Sequence, residues 1–133
     1  MKTLAAVLTA LLLLMLAPAA GARLRQFQSP TKNIGCMISR SFVRCDIGER
    51  TWRPPPKPAS CPVDWGYGVN VGRRSKAGFI CAGDAVAGVG PILRYGRSIR
   101  MGAMTCTSRR SGMRCHSHRH HGFLLSRERY RLY

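Results

Sequence analysis

Two ten-residue stretches decide the fold: CMISRSFVRC at residues 36–45 and CTSRRSGMRC at residues 106–115. Both are C-x8-C, with Arg-Ser at the centre and arginine before the second cysteine. In a β-hairpin with a two-residue loop, directly opposed residues are separated by an odd number of positions, and each cysteine pair is nine apart. Opposed side chains on neighbouring strands sit at the Cβ separation a disulfide needs. Each stretch therefore predicts a hairpin, turning at Arg40-Ser41 or at Arg110-Ser111 and closed by its own bridge. Gly112 favours the second turn; the first has no glycine. Cys61 and Cys81 are then left to pair with each other. The expected framework is Cys36–Cys45, Cys61–Cys81 and Cys106–Cys115, all within one small domain.

An even cysteine count in a short chain points to an oxidising compartment, and the N-terminus agrees. Lys2 precedes an apolar run, AAVLTALLLLMLA at residues 5–17, and Ala20-Gly21-Ala22 supplies a small-residue cleavage site. The run is short for a membrane span and ends at Pro18. Residues 1–22 are read as a cleaved signal peptide and residues 23–133 as a six-cysteine β domain, secreted or extracytoplasmic in the cell envelope. No transmembrane segment is expected after cleavage, and a monomer is expected. Removing residues 1–22 takes away Lys2 and no acid, so the formal charge goes from +17 to +16. The core is modest for such a chain, and each cross-link is worth about 2–4 kcal/mol.

The rest of the chain is punctuated by glycine and proline. Pro54-Pro55-Pro56-Lys57-Pro58 cannot sit in a helix or a central strand and reads as an extended surface connector, capped by Trp52 or Trp65. Tyr67–Val71 and Ala77–Cys81 read as short strands, and Ile99–Cys106 as one strand entering the second hairpin. Gly122–Ser126 and Tyr130–Tyr133 read as closing strands around a turn at Arg127-Glu128-Arg129. No long window after residue 22 has helical periodicity. The class is mainly β: a disulfide-stapled single domain of short antiparallel strands and hairpins.

Taken together, an ordered set of landmarks carries a resemblance. It runs through Phe27-Gln28-Ser29-Pro30, Asn33-Ile34-Gly35-Cys36, Val43-Arg44-Cys45-Asp46-Ile47, Glu49-Arg50, Trp52, Pro54-Pro55-Pro56 and Cys61. It continues through Asp64-Trp65-Gly66, Phe79-Ile80-Cys81, Gly83-Asp84, Tyr95-Gly96, Ser111-Gly112-Met113, Cys115, Gly122-Phe123, Ser126-Arg127 and Tyr130-Arg131-Leu132. This resembles a family of small exported actinobacterial proteins that share a domain of unknown function. The resemblance implies an exported domain and brings no activity or catalytic residues with it. Thr31-Lys32 stands where that pattern has Ser-Gly, and His120 where it has glycine before His-Gly-Phe. His121 is the histidine that fits the pattern; the high charge is a feature of this chain.

Three function classes follow from the residues. The chain has 18 arginines and only five acids, Asp46, Glu49, Asp64, Asp84 and Glu128. Such a field attracts anionic polymers or lipid headgroups, and arginine favours bidentate contact with phosphate or carboxylate. The leading expectation is a non-catalytic binding or envelope-associated protein whose C-terminal half meets an anionic partner through Arg109, Arg110, Arg114, Arg119, Arg127, Arg129 and Arg131. Export argues against nucleic acid as that partner in vivo. The second class is a metal-binding protein. CHSHRHHGF, residues 115–123, holds all four histidines, and on a strand His116, His118 and His120 share one face, about 6.8 Å per two residues. They suit a divalent transition metal; otherwise no cofactor is expected. A hydrolase-type enzyme is the third class and the weakest. Asp46 and Glu49 lie beside Arg44 and Arg50 as salt-bridging groups, Asp64 and Asp84 read as turn formers, and no nucleophile elbow or HExxH pair is present.

Overall fold

The computed structural model describes residues 23–133; the expected signal segment, residues 1–22, lies outside them. The described residues form ten β-strands and no helix. Five of them, Arg25–Gln28 (β1), Ile34–Ile38 (β2), Phe42–Ile47 (β3), Trp65–Gly72 (β4) and Gly78–Cys81 (β5), make one sheet in chain order. Another five, Ser98–Met101 (β6), Met104–Arg109 (β7), Gly112–Ser117 (β8), Gly122–Leu125 (β9) and Tyr130–Leu132 (β10), make a second, also in chain order. Both are antiparallel meanders, and each has its cysteine hairpin as second and third strands. We call them sheet A and sheet B.

The pairing registers put the cysteines on a rung that crosses each sheet. In sheet A it runs Phe27, Cys36, Cys45, Val69, Phe79. In sheet B it runs Ile99, Cys106, Cys115, Phe123, Leu132. All ten side chains belong to or pack against one core, and the four cysteines and Phe123 are fully buried. The sheets face each other across these rungs, with Cys45 Sγ and Cys115 Sγ 3.8 Å apart. The disulfide-stapled, mainly β fold expected from the sequence is thus the fold found. Both hairpin bridges join directly opposed residues with Cα atoms 4.1 Å apart, the close spacing of a non-hydrogen-bonded pair. Cys61–Cys81 forms the third bridge. The turns are two-residue loops at Arg40-Ser41 and Arg110-Ser111, flanked by the pairs Ser39–Phe42 and Arg109–Gly112.

One expectation is corrected. Residues 99–106 are not a single strand but a second tight hairpin, in which Met101 pairs with Met104 across Gly102-Ala103. Gly102 takes φ 54°, in the left-handed region that glycine tolerates. The hairpin imitates a strand because its inward residues, Ile99 and Met101, then Met104 and Cys106, still alternate on each side; only the phase changes at the turn.

The open side of the sandwich is filled by aromatic rings. Trp52 packs on Tyr130 at 4.7 Å, Tyr130 on Phe79 at 5.0 Å, and Phe79 on Trp65 at 5.9 Å between centroids. Both indoles donate hydrogen bonds, Trp52 to the Ser126 carbonyl and Trp65 to the Pro55 carbonyl. The proline connector is therefore pinned along the surface by Trp65, while Trp52 ties it to sheet B.

Sheet A has its outer face covered. The segment after β5 crosses it, and the buried Asp46 carboxylate accepts from Val86 N at 2.6 Å and from Arg44 Nη2 at 2.9 Å and Nε at 3.1 Å. Gly35 lies against the Val86 carbonyl, where no Cβ would fit. The segment then bridges in parallel to β1 at Gln28–Ile92 before entering β6. Burial alone would lower the pKa of Arg44; the hydrogen bonds and charge of Asp46, then of Asp84, outweigh it and raise the pKa above its ordinary value.

Two outcomes follow. Asp46→Ala leaves Arg44 without its main partner and releases the crossing segment, so it should destabilise by about 3 kcal/mol in chemical denaturation. Limiting reductant should open Cys61–Cys81 first, because Cys81 is exposed while the four hairpin cysteines are fully buried. Alkylation followed by peptide mapping reads the order.

Candidate anion-binding face and end cleft

Strand parity sorts the arginines. In β7, Met104, Cys106 and Ser108 point into the core, leaving Thr105, Thr107 and Arg109 outward. In β8, Met113, Cys115 and Ser117 point inward, leaving Arg114 and His116 outward. The registers then lay two rows across the outer face of sheet B. One runs Ser98, Thr107, Arg114, Leu124, Arg131; the other runs Arg100, Thr105, His116, Gly122, with Tyr133 bonded to Gly122. Strands lie about 4.8 Å apart, so Arg114 and Arg131, two strands apart, stand about 10 Å from each other.

Arg100, Arg109, Arg114 and Arg131 are exposed, and none of the five strands of sheet B contains an acid. Two of these guanidinium groups are braced by neighbours on the face. Arg114 Nε donates to the Tyr133 hydroxyl at 3.0 Å, and Arg100 Nε to Thr105 Oγ1 at 3.3 Å. The face is therefore cationic and rich in hydroxyl groups. Sheet A offers the opposite case, since its outer face carries Asp46 and is crossed by the 82–91 segment.

A cleft of about 570 Å³ opens at one end of the sandwich, where the β1–β2 loop, the end of β3, the β7–β8 turn and the β9–β10 turn meet. Its wall is braced by Asn33, whose Nδ2 donates to the Glu49 carbonyl at 2.9 Å and whose Oδ1 accepts from Glu49 N at 2.7 Å. Arg110 stacks on Tyr95 at 5.0 Å, and Arg127 pairs with Glu49 at 3.7 Å.

The seven arginines singled out from sequence therefore separate. Arg109, Arg114 and Arg131 share the sheet B face, with Arg109 also at the cleft. Arg110 and Arg127 line the cleft, Arg129 lies in the β9–β10 turn, and Arg119 lies at the opposite end in the turn after β8. Arg100 was missed, and so were the hydroxyls of Ser98, Thr105 and Thr107. The signal for them lies in the parity of β6 and β7, which reading residues 99–106 as one strand concealed.

The histidines do not gather. β8 ends at Ser117, so the alternation that would align His116, His118 and His120 stops there. The chain turns instead, with His120 N donating to the Ser117 carbonyl. Among the described residues, no group of three or more His, Cys, Asp or Glu is placed to hold a metal ion. The acids Asp46, Asp64 and Asp84 meet Arg44 around a space of about 10 Å³, room for roughly one water molecule.

Lys32 and His120 are the non-glycine residues with positive φ among those described, at 60° and 66°. A left-handed conformation costs a side-chain-bearing residue about 1 kcal/mol. Lys32→Gly and His120→Gly should each raise stability by about that amount in denaturant titration, because both turns already have the backbone glycine prefers.

No curated protein and no solved structure matches the chain. Among the described residues no helix is long and apolar enough to cross a membrane, and the three disulfides fit an oxidising compartment. What does match is the Family of unknown function (DUF6636), over residues 6–133, and the chain belongs to that family.

Proposed function

We propose that this is an exported, non-catalytic binding protein whose outer sheet B face engages an anionic polymer of the cell envelope. The observation that carries the reading is the acid-free set of exposed arginines Arg100, Arg109, Arg114 and Arg131 spread over one sheet face. Guanidinium groups at fixed spacing favour bidentate contact with phosphate or carboxylate along a chain. The wider excess of positive charge, +17 for the full chain and +16 without residues 1–22, would draw such a polymer in from a distance.

A polymer suits this face better than a lipid surface. Adsorption to a bilayer gains from apolar side chains inserted among the headgroups. The apolar member of the arginine row, Leu124, is only half exposed. The exposed large apolar residues Leu24, Phe42, Val63, Tyr67, Val89, Ile92 and Tyr95 all lie off these outer rows.

The test is retention on a polyanion resin as a function of salt. Retention should fall steeply with ionic strength, and the double variant Arg114→Ala/Arg131→Ala should reduce the log–log salt slope by about one per arginine removed. Arg119→Ala, at the far end, should change it less. Equal loss per arginine removed in the two variants would mean that net charge and not this face governs binding. Tighter binding to anionic vesicles than to the polymer would favour a lipid partner.

A further inference from the structure

We propose that the end cleft is a second binding site, and that it takes a carboxylate-bearing saccharide. It stands apart from the sheet B face, with Arg109 at the border of both. Its volume, about 570 Å³, lies in the usual range for small-ligand sites, about 300–1,000 Å³.

The chemistry of the wall selects the ligand class. Tyr95 is 39 % exposed, so part of its ring faces solvent while Arg110 stacks at 5.0 Å. An aromatic ring beside a guanidinium can take the C–H face of a sugar and an adjacent carboxylate together. Lys32, Arg109 and Arg127 add further cations. Glu49 and Glu128 also line the cleft. Glu49 is paired with Arg127, and the two carboxylates are good acceptors for sugar hydroxyls.

The site is also pre-formed. Asn33 clamps the β1–β2 loop to Glu49 with two hydrogen bonds. On the other side the β7–β8 turn sits tightly on β9: at Gly112, φ 133°, a Cβ would lie 2.6 Å from the Leu125 carbonyl oxygen. Gly96 N donates to the Ser108 carbonyl and so fixes the Tyr95 segment to β7. Lys32 is held left-handed, φ 60°, in this same wall. Strained side-chain-bearing residues concentrate at ligand sites, and here the strained residue brings a cation to the rim.

Calorimetric titration of the purified, oxidised protein with a galacturonate tetramer tests the proposal, with maltotetraose and inorganic phosphate as controls. The acidic tetramer should bind one to one, and the two controls at least tenfold more weakly. Tyr95→Ala removes no charge; it should weaken the tetramer at least tenfold while leaving polyanion-resin retention unchanged. Arg114→Ala/Arg131→Ala should do the reverse, which keeps this site distinct from the sheet face. Lys32→Gly should lose affinity while gaining thermal stability, a combination that misfolding cannot produce. Absence of tetramer binding, equal binding of maltotetraose or phosphate, or full affinity in Tyr95→Ala would overturn the proposal.

Discussion

The structure turns on the contact between two disulfides at its centre. Cys45 and Cys115 bring their sulfurs within 3.8 Å, each from a bridge that ties the second and third strands of its own sheet. A chain of this length buries a small core, and opposed strands would otherwise be held by backbone hydrogen bonds and modest side-chain packing alone. A bridge between directly opposed residues fixes register as well as proximity, because a slip of one position turns every side chain to the other face. From the cysteines outward the rungs follow: Phe27 and Val69 beside one bridge, Ile99 and Phe123 beside the other. The aromatic group of Trp52, Phe79 and Tyr130 then fills the side that the bridges leave open.

The same device at the centre of both sheets leads to different exteriors. On sheet A the outward positions of β3 are Arg44 and Asp46, which neutralise each other and anchor Val86. That face is committed to the connection into sheet B. The equivalent positions of β8, beside Cys115, are Arg114 and His116, and no strand of sheet B supplies a carboxylate. One aspartate therefore separates a structural face from a candidate binding face. Arg100, Arg109, Arg114 and Arg131 stand on the face where no carboxylate of the same sheet neutralises them.

Much of this was legible from the two C-x8-C stretches, because cysteine spacing encodes hairpin register directly. Trp65, Pro55 and the closing strands were legible from composition for a similar reason: proline and aromatic residues have few alternative places in a small β domain. Parity across a hidden turn was not. Ile99, Met101, Met104 and Cys106 all point inward on both sides of Gly102, and a period-two pattern with one phase change still resembles a strand. Missing that turn hid β6, and with it Arg100 on the outer face. The expected alignment of His116, His118 and His120 is corrected for a related reason. It required β8 to continue past Ser117, whereas the backbone turns there and donates back to the Ser117 carbonyl from His120. Sequence distance along CHSHRHHGF says which residues are neighbours, and only the end of the strand says which of them share a face.

Lys32 and His120 join these threads. Both hold left-handed backbone conformations, which glycine adopts at lower cost. The backbone cost is similar at the two sites, so conformation alone does not distinguish them. Their surroundings do. His120 stands exposed in the turn beyond β8, at the end of sheet B opposite the cleft. Lys32 stands in the cleft wall, on a loop clamped by Asn33, across from the turn that carries Arg110. A turn that merely connects strands gains nothing from a strained lysine, since glycine closes it at lower cost. A turn that forms one wall of a cationic, hydroxyl-lined cleft gains a charge that glycine cannot supply. The strain at Lys32 therefore points toward a ligand, whereas the strain at His120 has no such counterpart in its surroundings.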